Sequence, residues 1–238
     1  MTIKGKTNSD KKTAITVGVL YIIATVAGIL SIVLLGPLLA DPDYLTNFAA
    51  NANQIVTGAL VDLIGAGAFV ALAVIIFPIL KRFSGRTALG YVVARSIEAV
   101  PFIIANISLL ALLTLSQEYV QATAPDVSNF LPIGAGLLAT YDWAQLLGPR
   151  IFASLAALPF YYLLYQSRLV PRWMSVWGLA AAPLYLASGL LAMYGIVDPF
   201  SPILVLLFLP AALLEMVLAV WLIVKGFNSS ASASLSEK

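Results

Sequence analysis

Two short stretches carry the residues of this chain with the most chemical potential. The first is VVARSIEAVPF, Val92 to Phe102, where Arg95 and Glu98 interrupt an otherwise apolar run. The second is LPAALLEMVLAVWLIVKGF, which holds Glu215. A spacing of i and i+3 puts Arg95 and Glu98 on one helical face, where they can meet locally. Glu215 must be brought to them by another segment. One cation among two carboxyls leaves one carboxyl without a partner. If neutral in mid-membrane, that carboxyl suits proton-coupled transport, and it equally suits a silent hydrogen bond. Charged groups at such depth are expensive and are functional candidates by default. An Arg–Glu pair is also a self-contained strut, so both readings stay open here.

A second polar group is made of Asp62, Asn106, Asp142, Gln145 and Arg150. Depth separates it from the first. At ~1.5 Å of helical rise per residue, Arg95 lies roughly 13 Å and Glu98 roughly 18 Å from the flanking Arg86, and Glu215 roughly 15 Å from Lys225. These three form an inner layer near the middle of a bilayer. Asp62, Asn106 and Arg150 fall roughly 27–30 Å from their flanking charges, which is the far edge. Two expectations follow. Glu215 is expected within salt-bridge reach of Arg95 or, less directly, Glu98. Asp62 is expected to pair with Arg150, with the other three polar residues around them. Prolines accompany the charges. Pro101, Pro149 and Pro210 lie near Glu98, Arg150 and Glu215, and they free the carbonyls of Ile97, Gln145 and Leu206. Broken helices of this kind build midplane sites in transporters.

The elements that must position these residues are membrane spans. Of 238 residues, 61% are hydrophobic and 10% charged, whereas a soluble domain carries roughly a quarter charged residues. Apolar runs of ~20 residues are long enough to cross a bilayer. Six such runs are expected, at 14–39, 54–80, 88–116, 142–165, 174–196 and 201–227. The fold class is therefore an all-α, polytopic bundle of six transmembrane helices. The first run is too long for a signal-peptide core and has no clear cleavage site. Residues 1–13 are expected as a polar tail, 14–227 as the membrane domain, and 228–238 as a disordered tail. The connection 117–141 is the longest, and its piece FLPIGAGLLATY is expected to lie in the interface or dip inward.

Lysine and arginine orient the spans. They occupy the N-terminal segment, the KRFSGR and QSRLVPRW connections and the C-terminal end. The other three connections carry none, and hold Asp41, Asp43, Glu118, Asp126 and Asp198. This alternation gives an N-in, C-in topology, with the chain expected in the cytoplasmic membrane of a prokaryote. It also accounts for the net charge of +2, so nucleic acid is not expected as a partner. The expected partners are the lipid bilayer and a small-molecule or lipid ligand. The oligomeric state stays open. Small-residue runs, GAGAF at 65–69 and ASGLLA at 187–192, allow close helix approach. Trp143, Trp173, Trp177, Trp221, Tyr161, Tyr162 and Tyr165 read as interface anchors.

Several chemistries are excluded. With no cysteine and no histidine, there are no disulfides, no thiolate chemistry, no Ser–His or Cys–His pair, and no His-ligated zinc or haem. No Walker loop or dinucleotide fingerprint occurs. No catalytic residue, metal or cofactor is assigned, and the balance leans away from an enzyme.

Four pieces together resemble a known family: GVLYIIATVAGI, ARSIEA, YQSRLVPRWMSVWGL and LPAALLEMVLAVWLIVKGF. They are similar, in order and spacing, to the uncharacterised bacterial and archaeal membrane family called domain of unknown function 4386. The resemblance covers nearly the whole chain. It implies a six-span bundle and places Arg95, Glu98, Glu215 and Lys225 in its recognisable motifs. It implies no reaction, substrate or cofactor.

Overall fold

The structure, a computed structural model, describes residues 3–122, 127–198 and 201–228. Asp126 and the tail expected beyond residue 228 lie outside them. Among the described residues, eight α-helices and one π-helical turn follow in order: α1 (Ile3–Leu39), α2 (Tyr44–Ala50), α3 (Ala52–Leu80), α4 (Gly85–Tyr119), α5 (Val127–Leu146), the π turn (Leu147–Phe152), α6 (Ala153–Ser167), α7 (Arg172–Met193) and α8 (Pro202–Val224). Among the described residues, six helical segments are long and apolar enough to cross a membrane: Asn8–Leu39, Ala52–Leu80, Gly85–Tyr119, Asn129–Ser167, Arg172–Met193 and Pro202–Val224.

The breaks between helices have local causes. Ser84 caps α4 by accepting from Thr87 N at 3.4 Å, and Ser201 accepts from Leu204 N ahead of α8. Arg168 ends α6 with φ 54°, a left-handed conformation that turns the chain before Pro171.

Three expectations need correction. The first helix begins at Ile3, so the polar N-terminal segment is helical and not a loose tail. Its Asp10 is buried and accepts from Arg82 Nη1 at 2.8 Å and Nη2 at 3.0 Å. A fork-shaped guanidinium suits a carboxylate in this way. The fourth span does not start near Asp142. It runs from Asn129 to Ser167 through the π turn, and FLPIGAGLLATY is part of that continuous helix. The first connection folds as α2, whose Phe48 is fully buried. Ser116 on α4 holds it, donating to Leu45 O and accepting from Ala49 N at 2.7 Å.

The spans close into a ring in chain order. α1 packs on α3, α3 on α4, α4 on the α5–α6 span, α6 on α7, α7 on α8, and α8 back on α1. Small residues set the close approaches. A Cβ on Gly18 would meet Ala219 O at 2.6 Å, and one on Gly65 would meet Ala24 O at 3.4 Å.

At the lysine- and arginine-bearing end, one core joins all six spans through residues such as Val17, Ile76, Tyr91, Phe160, Met174 and Leu218. At the opposite end the core divides. One part, including Leu35, Phe48, Ile55, Leu109 and Tyr141, belongs to α1 through α5. The other, with Leu146, Ala192 and Leu204, belongs to the α5 end, α7 and α8.

Candidate functional site

Span 3 presents Tyr91, Arg95 and Glu98 at i, i+4 and i+7, on one face. All three are buried. Arg95 Nη1 donates to Glu98 Oε1 at 2.9 Å and to Oε2 at 2.8 Å. The guanidinium lies 4.6 Å from the Phe69 ring centroid and 5.8 Å from that of Tyr91, so aromatic faces cover a cation already neutralised by its own helix. Arg95 Nε and Tyr91 Oη are fully buried and have no hydrogen-bond partner among the described residues. Such donors are costly to leave unmet.

The rings around this pair were not assigned a part in it from sequence. Tyr91 stacks on Phe160 at 4.8 Å, Phe160 touches Tyr161 at 5.2 Å, and Tyr21 meets Phe69 edge-on at 6.2 Å. Tyr161, expected as an interface anchor, is only 6% exposed. It points inward because Gly178 opens space for its ring: a Cβ there would lie 2.3 Å from the ring atoms. Trp143, Trp173, Tyr162 and Tyr165 are exposed on the bundle exterior.

Glu215 is half-buried on α8. Leu218, Ala219 and Leu222, one to two turns on, are buried, so this face of α8 looks into the bundle and not toward lipid. The carboxyl lies within electrostatic range of Arg95 and Glu98 on span 3, Tyr21 on span 1, Tyr161 on span 4 and Tyr185 on span 5. It makes no ion pair and no side-chain hydrogen bond among the described residues. The expected salt bridge from Arg95 to Glu215 is therefore corrected. Glu98 reaches Arg95 from the next turn of its own helix, whereas α4 and α8 are not neighbours in the ring.

The outer group also departs from expectation. Asp62 is buried and accepts from Asn106 Nδ2 at 2.7 Å and from Gln145 Nε2 at 3.1 Å. It makes no ion pair with Arg150. Two amides satisfy it, and they tie spans 2, 3 and 4 together. Asn106 Nδ2 also donates to Phe102 O at 2.8 Å.

Arg150 sits in the π turn and faces span 5, where a Cβ on Gly189 would lie 3.1 Å from Arg150 Cβ. Asp142 is exposed and outside the cluster. It stands one turn before Gln145 on the same helix, with its side chain turned outward.

The π turn follows from Pro149. Its missing N–H leaves the Gln145 carbonyl unpaired in an α pattern, and a wider turn accommodates the gap. The same turn lets Gly148 approach span 3 closely: its Cβ would lie 3.1 Å from Pro101 Cβ and 3.3 Å from Glu98 O. The two proline-marked segments thus pack on each other, one turn from the Arg95–Glu98 pair. Among the described residues no three acidic side chains come together as a metal site.

These features define a class: a polytopic membrane bundle of six spans around a buried ion pair. The chain belongs to the family described as Domain of unknown function (DUF4386), which matches residues 16–226. No curated protein and no solved structure matches it.

Proposed function

We propose that this protein binds, and in the fuller form of the reading transports, a small or amphiphilic molecule at a site between spans 3 and 6. Its setting is the cytoplasmic membrane of a prokaryote, with both termini inside. One observation carries the reading. Among the described residues Glu215 faces the bundle interior without an ion pair, while the charge of Arg95 is already neutralised by Glu98. A carboxyl kept at that depth with no structural partner has a cost that packing does not repay. The core divides beyond this layer, which supports access from one side.

The N-in, C-in orientation rests on the alternation of lysine and arginine. It is supported by the meeting of the basic segments at one end of the bundle, where Arg82 holds Asp10 and Asn228 N donates to Leu169 O at 2.8 Å.

A second reading is a non-catalytic scaffold, sensor or complex subunit. The closed Arg95–Glu98 pair under the Phe69 ring favours it for that pair. The two readings divide the layer: a strut on span 3 and a working carboxyl on span 6. Native mass spectrometry of protein released from its own membrane separates them. A bound small molecule or lipid that is depleted by Glu215→Gln is the expected result. An empty wild-type bundle, or equal occupancy in the variant, would leave the scaffold reading.

A further inference from the structure

A cavity of about 320 Å³ lies at the lysine- and arginine-bearing end of the bundle, far from Glu215 in purpose and independent of it. One wall is the α6–α7 connection, at Leu169 and Pro171. The other is the end of α8, at Trp221, Lys225 and Asn228. Both walls are fixed turns. Arg168 closes α6 with φ 54°, and Gly226 closes α8 with φ 73°, a conformation glycine takes without strain. Gly226 N donates to Trp221 O at 3.2 Å. Asn228 N donates to Leu169 O at 2.8 Å and ties the two turns together. The cavity is thus shaped by backbone, and its volume falls within the roughly 300–1,000 Å³ of ligand sites.

Its charge has one sign. Lys225 is the one charged residue lining it, is exposed, and makes no ion pair among the described residues. Residues 162–178 and 216–228, which carry both walls and their flanks, contain no Asp or Glu. Nearby Arg172 lies over the Tyr165 ring at 5.4 Å. Trp221 and Asn228 bring further donors in their indole and amide groups. The cavity surface is mainly polar, which does not suit an acyl chain. Exposed Trp173 and Tyr165 stand at the same end, and such rings settle at the headgroup level of a bilayer. A polar cavity with a lone lysine at that level suits a phosphate, which lysine binds as a point charge. An ammonium headgroup would be repelled by Lys225.

We propose that this cavity binds a phosphate group whose negative charge is met by Lys225. The phosphate belongs either to an anionic lipid headgroup or to a soluble phosphate. Basic pockets between spans hold lipid headgroups in this way.

Native mass spectrometry of the full-length protein tests it. The protein is titrated in detergent with equal amounts of phosphatidylglycerol and phosphatidylcholine of matched acyl chains. Both carry a phosphate, but only phosphatidylglycerol carries a net negative charge. Phosphatidylglycerol should be retained about fivefold over phosphatidylcholine. The preference should vanish in Lys225→Gln and persist in Lys225→Arg. Lys81→Gln is the control. Lys81 is exposed at the same end, over the Phe77 ring at 5.6 Å and outside the cavity, so the preference should not change. Melting curves verify that each variant is folded. A parallel titration with inorganic phosphate, read by phosphorus NMR, separates the sources. Lys225-dependent phosphate binding without a lipid preference would keep the ligand class and assign it to a soluble source. Equal losses in Lys225→Gln and Lys81→Gln would reduce the effect to diffuse attraction and overturn the proposal. Absence of both the lipid preference and phosphate binding would also overturn it.

Discussion

At the scale of single residues, the two deep carboxyls have different duties. Glu98 belongs to Arg95. The pair is buried, closed within one helix and covered by Phe69. Removing one partner of such a pair strands the other charge, so Glu98→Gln should cost roughly 3–5 kcal/mol. Replacing both, Arg95→Met with Glu98→Leu, should recover most of that loss, and thermal unfolding in detergent is the measurement. A double variant as unstable as the single one would show that the pair has partners beyond itself. The Arg95–Glu98 contact was legible because i and i+3 is a local geometry that needs no tertiary knowledge. The depth of Glu215 was also legible, but that it makes no ion pair among the described residues was not. Sequence depth says nothing about where helices stand around a ring. The tyrosines carry a usable signal of their own. Tyr21 lies nine residues past Lys12, roughly 13 Å in, the same depth as Arg95. Tyr161 was placed at the interface with Tyr162 and Tyr165, although only Tyr161 faces Gly178.

At the scale of elements, glycine sets how closely the helices stand. Gly18 is where α1 and α8 close the ring. Its missing Cβ leaves room for the Ala219 carbonyl, so Gly18→Ala should destabilise by about 1–3 kcal/mol through overpacking. Gly67, with open space around its Cβ position, should tolerate alanine and gain up to ~1 kcal/mol from helix propensity. The contrast between the two melting temperatures is the readout, and equal effects would contradict the assigned packing. The six apolar runs were readable from length and composition alone, while their ends were not. Residues 3–13 are polar in composition but form helix, because Asp10 finds Arg82 across 72 positions of chain. Residues 127–141 hold Pro132 and three polar or charged side chains, yet continue the fourth span. Proline at 149 was visible. That its gap is absorbed by a π turn, which seats Gly148 against Pro101, is a tertiary fact.

At the scale of the whole molecule, the ring is continuous at one end and divided at the other. The orientation in the membrane is open to direct test, helped by the absence of native cysteine. Single cysteines at Ser9 and Arg86 should react with an impermeant maleimide only in inverted vesicles, and those at Thr46 and Gln121 only in intact cells. The reverse pattern would overturn the topology and with it the side from which the divided core is reached. The central claim is narrower: of the two deep carboxyls, Glu98 keeps a fixed partner and Glu215 alone exchanges its proton. Infrared difference spectroscopy between high and low pH reads this directly, as the carbonyl stretch of a buried carboxylic acid. The account predicts a band in the wild-type protein that vanishes in folded Glu215→Gln. A band that persists in that variant would place the exchangeable proton elsewhere and contradict the account.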